Sequence, residues 1–251
     1  MKVIFHEKYT EVYAHDPAAQ PGRMEAIYRA LEGAYEFEEP NPATDGDLKL
    51  CHTRVHIESL KEQNPSAYSL GKLAVGGAIR AAEISCEGEP TFGLVRPPGH
   101  HASPDSCWGF CYFNNMGISI KRLLKEGKIK RAVILDIDLH YGDGTANIFS
   151  VSPEVTYFHP EGYDRGGFME TLTRELESAN NYDILAISAG FDRHEEDWGR
   201  LLKTQDYERI GELVKVHSLR NCEGRRYGVL EGGYNHEVLG DNVKALLEGL
   251  R

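Results

Sequence analysis

The segment that most restricts the fold is residues 131–144, RAVILDIDLHYGDG. Its first half, Ala132, Val133, Ile134 and Leu135, is an unbroken apolar run. A strand with one wet face alternates apolar and polar residues, so a continuous run belongs to a strand covered on both faces, as in a parallel sheet packed by helices. Asp136, Asp138 and His140 then follow at alternate positions. In an extended chain such positions point the same way, so two carboxylates and an imidazole converge where the strand leaves the sheet. Gly142 and Gly144 flank Asp143 and let the backbone turn, bringing a third carboxylate back toward the group. Carboxylates at the end of a buried strand are costly unless a cation sits among them. Asp with His suits Zn²⁺ or a similar divalent ion. The plainer alternative is a solvated strand end with an ordinary Asp-Gly turn.

The chain has 251 residues and 41% hydrophobic content, enough for one large core, and a single α/β domain over 1–251 is expected. A net charge of −11 argues against a nucleic-acid binder and favours cationic small molecules as partners. The five cysteines, Cys51, Cys86, Cys107, Cys111 and Cys222, are odd in number and form no Cys-x-x-Cys pair, which argues against a disulfide framework. No signal peptide or membrane-length apolar run is present, so the expected location is cytoplasmic, with no membrane partner. Nothing in the sequence sets the oligomeric state.

Taken in order, residues 2–5 read as a strand, 21–33 as a helix opened by Pro21 and closed by Gly33, and 38–47 as loop. Helices are expected over 54–62 and over the Ala/Gly-rich stretch 70–82. From there strands at 91–95, 132–135, 155–158, 183–188 and 227–230 alternate with helices at 115–126, 145–150, 168–179, 204–219 and 236–250. That alternation predicts a parallel sheet sandwiched by helices. Each late strand runs into polar, glycine-flanked residues at its carboxyl end, the edge where ligands bind in open α/β sheets.

His100 and His101 follow Arg96-Pro97-Pro98-Gly99, a stiff loop that holds two imidazoles side by side. Beside a metal such a pair suits proton transfer; on a surface loop it is merely solvated. Asp192, in SAGFD, is a candidate third ligand or a plain loop carboxylate. Tyr234, in EGGYN, is a candidate hydroxyl donor or a buried aromatic. Cys107 and Cys111 lack the spacing of a closed structural zinc site, and Trp108-Gly109-Phe110 reads as a wall beside the site. Gly-rich phosphate loops, Gly-x-Ser-x-Gly elbows and helical His-Glu-x-x-His motifs are absent.

RPPGHHA…GFCYFNN, DIDLHYGDGT, SAGFD and EGGYN, in this order, resemble the histone deacetylase and acetylpolyamine amidohydrolase superfamily. The spellings are closest to its bacterial, polyamine and class II branches, and the resemblance is strongest over residues 68–235. It implies the arginase/deacetylase fold and zinc-dependent hydrolysis of an N-acetylated amine, acetyl-lysine or acetylpolyamine. By resemblance Asp138, His140 and Asp192 are zinc ligands, His100 and His101 the paired histidines, Asp136 and Asp143 the acids that orient them, and Tyr234 the carbonyl-polarising hydroxyl. Gly109, Phe110, Gly232 and Gly233 line the acyl-amine channel. Two other classes share the fold: a catalytically silent acyl-lysine or polyamine binder, and a manganese ureohydrolase with a two-metal, aspartate-rich cluster.

The resemblance also implies a monovalent-cation site, usually potassium, at Asp136 and the carbonyls of Asp138 and His140. The sequence departs from the family there, because Tyr157 stands where a serine contacts the ion. It departs again between His159 and Asp183, where the usual second glycine-rich loop and strand are missing, which predicts an open rim. Near the amino terminus Gln20-Pro21-Gly22-Arg23 replaces His-Pro-Glu-Arg, keeping only the proline and arginine.

Overall fold

A computed structural model describes residues 1–251. Seven strands form one sheet: β1 (Lys2–Ile4), β2 (Glu36–Glu38), β3 (Thr91–Gly93), β4 (Ala132–Asp136), β5 (Val155–Phe158), β6 (Ile184–Ala189) and β7 (Arg226–Leu230). All neighbours are parallel, in the order β2-β1-β3-β7-β6-β4-β5. Parallel neighbours need long crossovers, and nine α-helices lie between and after the strands. They are α1 (Arg23–Leu31), α2 (Asp45–Leu48), α3 (Arg54–Gln63), α4 (Pro65–Cys86), α5 (Asn115–Lys125), α6 (Asp143–Phe149), α7 (Arg165–Ser178), α8 (Thr204–Asn221) and α9 (His236–Leu250). The fold is therefore α/β, a parallel sheet flanked by helices, and no helix is long and apolar enough to cross a membrane.

Every residue of β3, β4, β6 and β7 is buried, whereas β2 at the edge is exposed at Glu36. Removing side chains such as Val133, Ile134 and Leu135 from water contributes roughly 1.5–3 kcal/mol each, and their burial is nearly complete. The buried apolar side chains form one continuous cluster from Val3 to Leu250.

Three elements differ from expectation. β2 was not foreseen: Glu36-Phe37-Glu38 pairs with β1 along the backbone, Lys2 of β1 bridges to both glutamates, and one half-buried Phe37 gives too short an apolar signal to mark a strand. Helix α2 lies inside the expected loop and is nucleated by a capping box between Thr44 and Asp47. Helix α4 is longer than its apolar stretch, starting at Pro65 behind the Asn64 cap and ending at Cys86. Between β5 and α7 the chain has only residues 159–164, so no further strand or long loop follows His159.

The strand order matters for the site. β3, β7, β6, β4 and β5 are scattered in sequence but consecutive in the sheet. Residues 96–101, 231–234, 190–192, 137–140 and 157–159 therefore leave neighbouring carboxyl ends.

Candidate active site

Strand β4 stops at Asp136, and residues 137–140 continue without helix or strand. The simple alternation expected for Asp136, Asp138 and His140 thus ends one residue into the group. Local hydrogen bonds take over: Asp138 N–H donates to Asp136 Oδ1 at 3.1 Å and His140 N–H to Asp138 Oδ1 at 3.0 Å. Asp138, His140 and Asp192 come together, with candidate ligand atoms all within 4.8 Å of one another. His140 Nδ1 lies 3.3 Å from Asp138 Oδ1 and 3.1 Å from Asp192 Oδ2.

The donor set fits a divalent cation. Asp138 and Asp192 are completely buried; Asp192 Oδ2 meets only the His140 ring nitrogen, whereas its other oxygen accepts Leu139 N–H at 2.9 Å. Burial and the adjacent Asp138 charge push the Asp192 carboxyl up, while hydrogen bonds to the same two carboxylates push the His140 imidazole up to about 10. Two buried carboxylates and an imidazole at this spacing form a site whose cost a dication relieves. Close approach depends on glycine: a Cβ at Gly190 would collide with Asp138, and one at Gly232 would lie 2.5 Å from Asp138 Oδ2. Gly232 N–H donates to that oxygen at 2.8 Å.

Two imidazole–carboxylate pairs flank this cluster. His100 Nδ1 is 3.0 Å from Asp136 Oδ2, and its Nε2 is 3.8 Å from Asp138 Oδ1. Burial pushes His100 down, but the combined Asp138 and Asp136 charges outweigh it and hold its pKa well above the ordinary imidazole value. His101 Nδ1 is 2.6 Å from Asp143 Oδ1. Burial, followed by the charge on His100, depresses His101 despite its bond to Asp143. The two neighbouring rings, 4.1 Å apart at their centroids, are thus driven in opposite directions. That divergence is the usual mark of separated acid and base duties.

Tyr234 sits beside the cluster, where burial, then the charges of Asp138 and Asp192, raise its phenol. Its ring stacks on Trp198 at 4.0 Å and meets Phe110 edge-on at 6.0 Å. Gly109 and Phe110 both have left-handed backbones, φ +58° and +68°. Gly109 lies against the His101 ring so closely that a Cβ would overlap it. Gly233, with φ +116°, packs against Leu239 and Phe191.

Several residues that sequence reasoning passed over hold this arrangement. Glu231 is fully buried and accepts the backbone N–H of Gly99 at 2.7 Å and His100 at 3.1 Å, so it ties β7 to the histidine loop. Its carboxyl is pushed up to about 7 by burial. A carboxylate directly before two glycines at the end of a buried strand was the available signal. Arg23 donates to the carbonyls of Gly233 and Glu231 at 2.8 and 2.6 Å, which gives the retained amino-terminal arginine its task. Trp108 Nε1–H donates to Asp143 Oδ2 at 2.8 Å, and its indole lies tilted against the His101 ring with centroids 3.9 Å apart. Asp197 accepts the N–H groups of Tyr234 and Asn235 at 2.7 and 2.8 Å. With Glu195, Glu196 and Trp198 it borders an open hollow beside Tyr234.

Comparison with known proteins gives the family and the fold. The sequence matches the histone deacetylase domain over residues 17–168 and 159–250, two pieces that meet in the shortened stretch after His159. It is 31% identical to a protein of Archaeoglobus fulgidus described as "Probable deacetylase", covering 94% of this chain and 81% of that one. It is 27% identical to the "Histone deacetylase-like amidohydrolase" of Pseudomonas aeruginosa, covering 88% and 72%. The solved HDA15 HD domain superposes with a TM-score of 0.83 at 23% identity, over 99% of this chain and 88% of the other, which shows a common fold. With the domain matched across nearly its whole length, the chain belongs to the histone deacetylase family.

Proposed function

We propose that this protein is a zinc-dependent deacetylase that hydrolyses the amide of an N-acetylated amine. The observation that carries the reading is the placement of two oppositely tuned His–Asp pairs against one three-ligand cluster. Asp138, His140 and Asp192 would hold the zinc. A zinc ion bound by three protein ligands keeps a position for water, lowers the pKa of that water and polarises a carbonyl.

The chain's own groups then divide the work. His101, held down by burial, is neutral near pH 7 and takes a proton from the attacking water. Its Nδ1 is engaged by Asp143, so the proton arrives at Nε2 and returns from there to the departing amine. His100, fixed by Asp136, carries positive charge beside the reacting centre. Tyr234 donates its hydroxyl proton to the developing oxyanion; the Trp198 stack and the Asp197 anchor on its backbone restrict its movement. Gly109, Phe110 and Gly232 border the path of the acyl group, with Gly233 supporting the loop. Around the neighbouring hollow Glu195, Glu196 and Asp197 outnumber Arg200, and with Lys203 paired to Glu195 the modest acidic excess favours a cationic amine over a neutral one.

The test is turnover by purified protein on acetylpolyamines and an acetyl-lysine peptide, before and after chelation and with zinc restored. Acetate release that disappears with the chelator and returns with zinc is expected. Binding of these substrates without acetate release in zinc-loaded protein would overturn the reading in favour of a silent binder.

A further inference from the structure

Arg193 has no counterpart in the chemistry described so far. It follows Asp192 directly and is only 5% exposed, yet no carboxylate lies within ion-pairing distance of its guanidinium. Instead Nε–H donates to the backbone carbonyl of Asp138 at 3.0 Å. One terminal nitrogen donates to Pro160 O at 3.3 Å and contacts His159 Nε2 at 3.1 Å. The guanidinium also lies over the Phe168 ring at 4.9 Å. Burying a cation on carbonyls is costly, yet a guanidinium keeps its charge in proteins. Arg193 therefore lies beneath the ligand loop as a fixed positive charge held on the backbone of the buried Asp138.

The surrounding groups do not fit a monovalent metal ion. The Asp138 carbonyl, one of the oxygens the family resemblance gives to potassium, is engaged by Arg193. Tyr157 hydroxyl donates to Asp136 Oδ2 at 2.9 Å and accepts Gly142 N–H at 3.0 Å, so its oxygen is committed to both. Asp136 Oδ1 is occupied by Asp138 N–H at 3.1 Å. A small hydroxyl that could turn toward an ion is replaced by a phenol wedged between Asp136 and the turn at Gly142.

We propose that the Arg193 guanidinium is a built-in replacement for the monovalent cation, with Tyr157 closing the remainder of that site. Arg193 is a positioning residue: it holds the Asp138 carbonyl, and hence the ligand loop, without touching substrate. A tethered charge needs no ion from solution, so the stability and activity of this protein are independent of potassium. The proposal rests on the divalent-metal reading of Asp138, His140 and Asp192 only for its metal-affinity readout.

The experiment is thermal unfolding and zinc affinity, the latter by competition with a chromophoric chelator, with KCl exchanged for choline chloride at a constant ionic strength of about 0.1 M. For the wild-type protein the two salts should give the same Tm within about 1 °C. Arg193→Ala should lose at least about tenfold in zinc affinity in choline chloride, because a ligand-supporting contact is gone. Its Tm should be the same in the two salts, because Tyr157 still closes the remainder of the site. A saturable rise of the wild-type Tm with potassium would overturn the proposal, as would an Arg193→Ala protein with unchanged zinc affinity. If Arg193→Ala does not fold, the wild-type potassium series decides alone. A wild-type protein that retains no zinc would refute the divalent reading while leaving the potassium series interpretable.

Discussion

His52 provides a measurable link between pH and the integrity of the histidine loop. The residue is buried between two segments: Nε2 accepts Asn114 N–H at 2.9 Å, and Nδ1 faces Ser103 O at 2.9 Å. A backbone N–H can only donate, so Nε2 must be unprotonated and Nδ1 must carry the ring's single hydrogen. The neutral ring pins both ends of residues 103–114, the segment that carries Trp108, Gly109 and Phe110. Protonation would set two N–H groups against each other and bury a charge. Burial, and secondarily the neighbouring His56, accordingly lower the His52 pKa to about 3, against roughly 6.5 in the unfolded chain. Between those values the unfolded state binds the extra proton, so stability rises with pH. The contribution is complete above the unfolded pKa and declines by about 1.4 kcal/mol per pH unit as pH falls toward the folded value. From pH 6.5 to 4.5 that amounts to roughly 2–3 kcal/mol. Urea unfolding followed by far-UV circular dichroism, with chelator throughout, gives the stability at each pH for wild type and His52→Asn. The variant should be about 1–3 kcal/mol weaker at neutral pH from lost hydrogen bonds, and the gap should close or invert by pH 4.5 because asparagine does not titrate. Parallel curves across this range would refute the argument, whatever the offset between them.

Asp192→Ala should lose both metal retention and turnover, since two remaining ligands hold a divalent ion poorly; a full equivalent of zinc by elemental analysis would remove Asp192 from the ligand set. Tyr234→Phe should keep zinc and lower kcat by about 10²–10³, and a kcat within about threefold of wild type would mean that the hydroxyl does not meet the oxyanion. The hollow beside Tyr234, where Glu195, Glu196 and Asp197 outnumber Arg200, predicts that kcat/KM for acetylpolyamines falls as salt screens the attraction. Neutral acetyl amides serve as the control, and equal, salt-insensitive hydrolysis of both would reduce the acidity to a solubility feature.

What could be read from the amino-acid sequence follows from how burial is recorded. β4 and β6 lie inside the sheet, covered on both sides, so every position must be apolar or nearly so and the strand appears as an unbroken run. The glycines and carboxylates that end those runs are local too. The strand ends and the convergence of Asp138, His140 and Asp192 were therefore legible, and the ordered motifs carried the family. β2 left no such trace, because an edge strand of Glu-Phe-Glu has one apolar residue, and its ion pairs with Lys2 depend on a partner strand that the local sequence does not reveal. The partners of single charged or polar groups were equally hidden. Glu231 reaches the histidine loop across 132 residues, Arg193 reaches the Asp138 carbonyl across 55, and His52 reaches Asn114 across 62. Periodicity reports whether a position is covered, not which group covers it. Only the strand order, which brings β3, β7, β6, β4 and β5 side by side, decided that Arg193 would lie under the loop of Asp138 and His140 instead of in solvent.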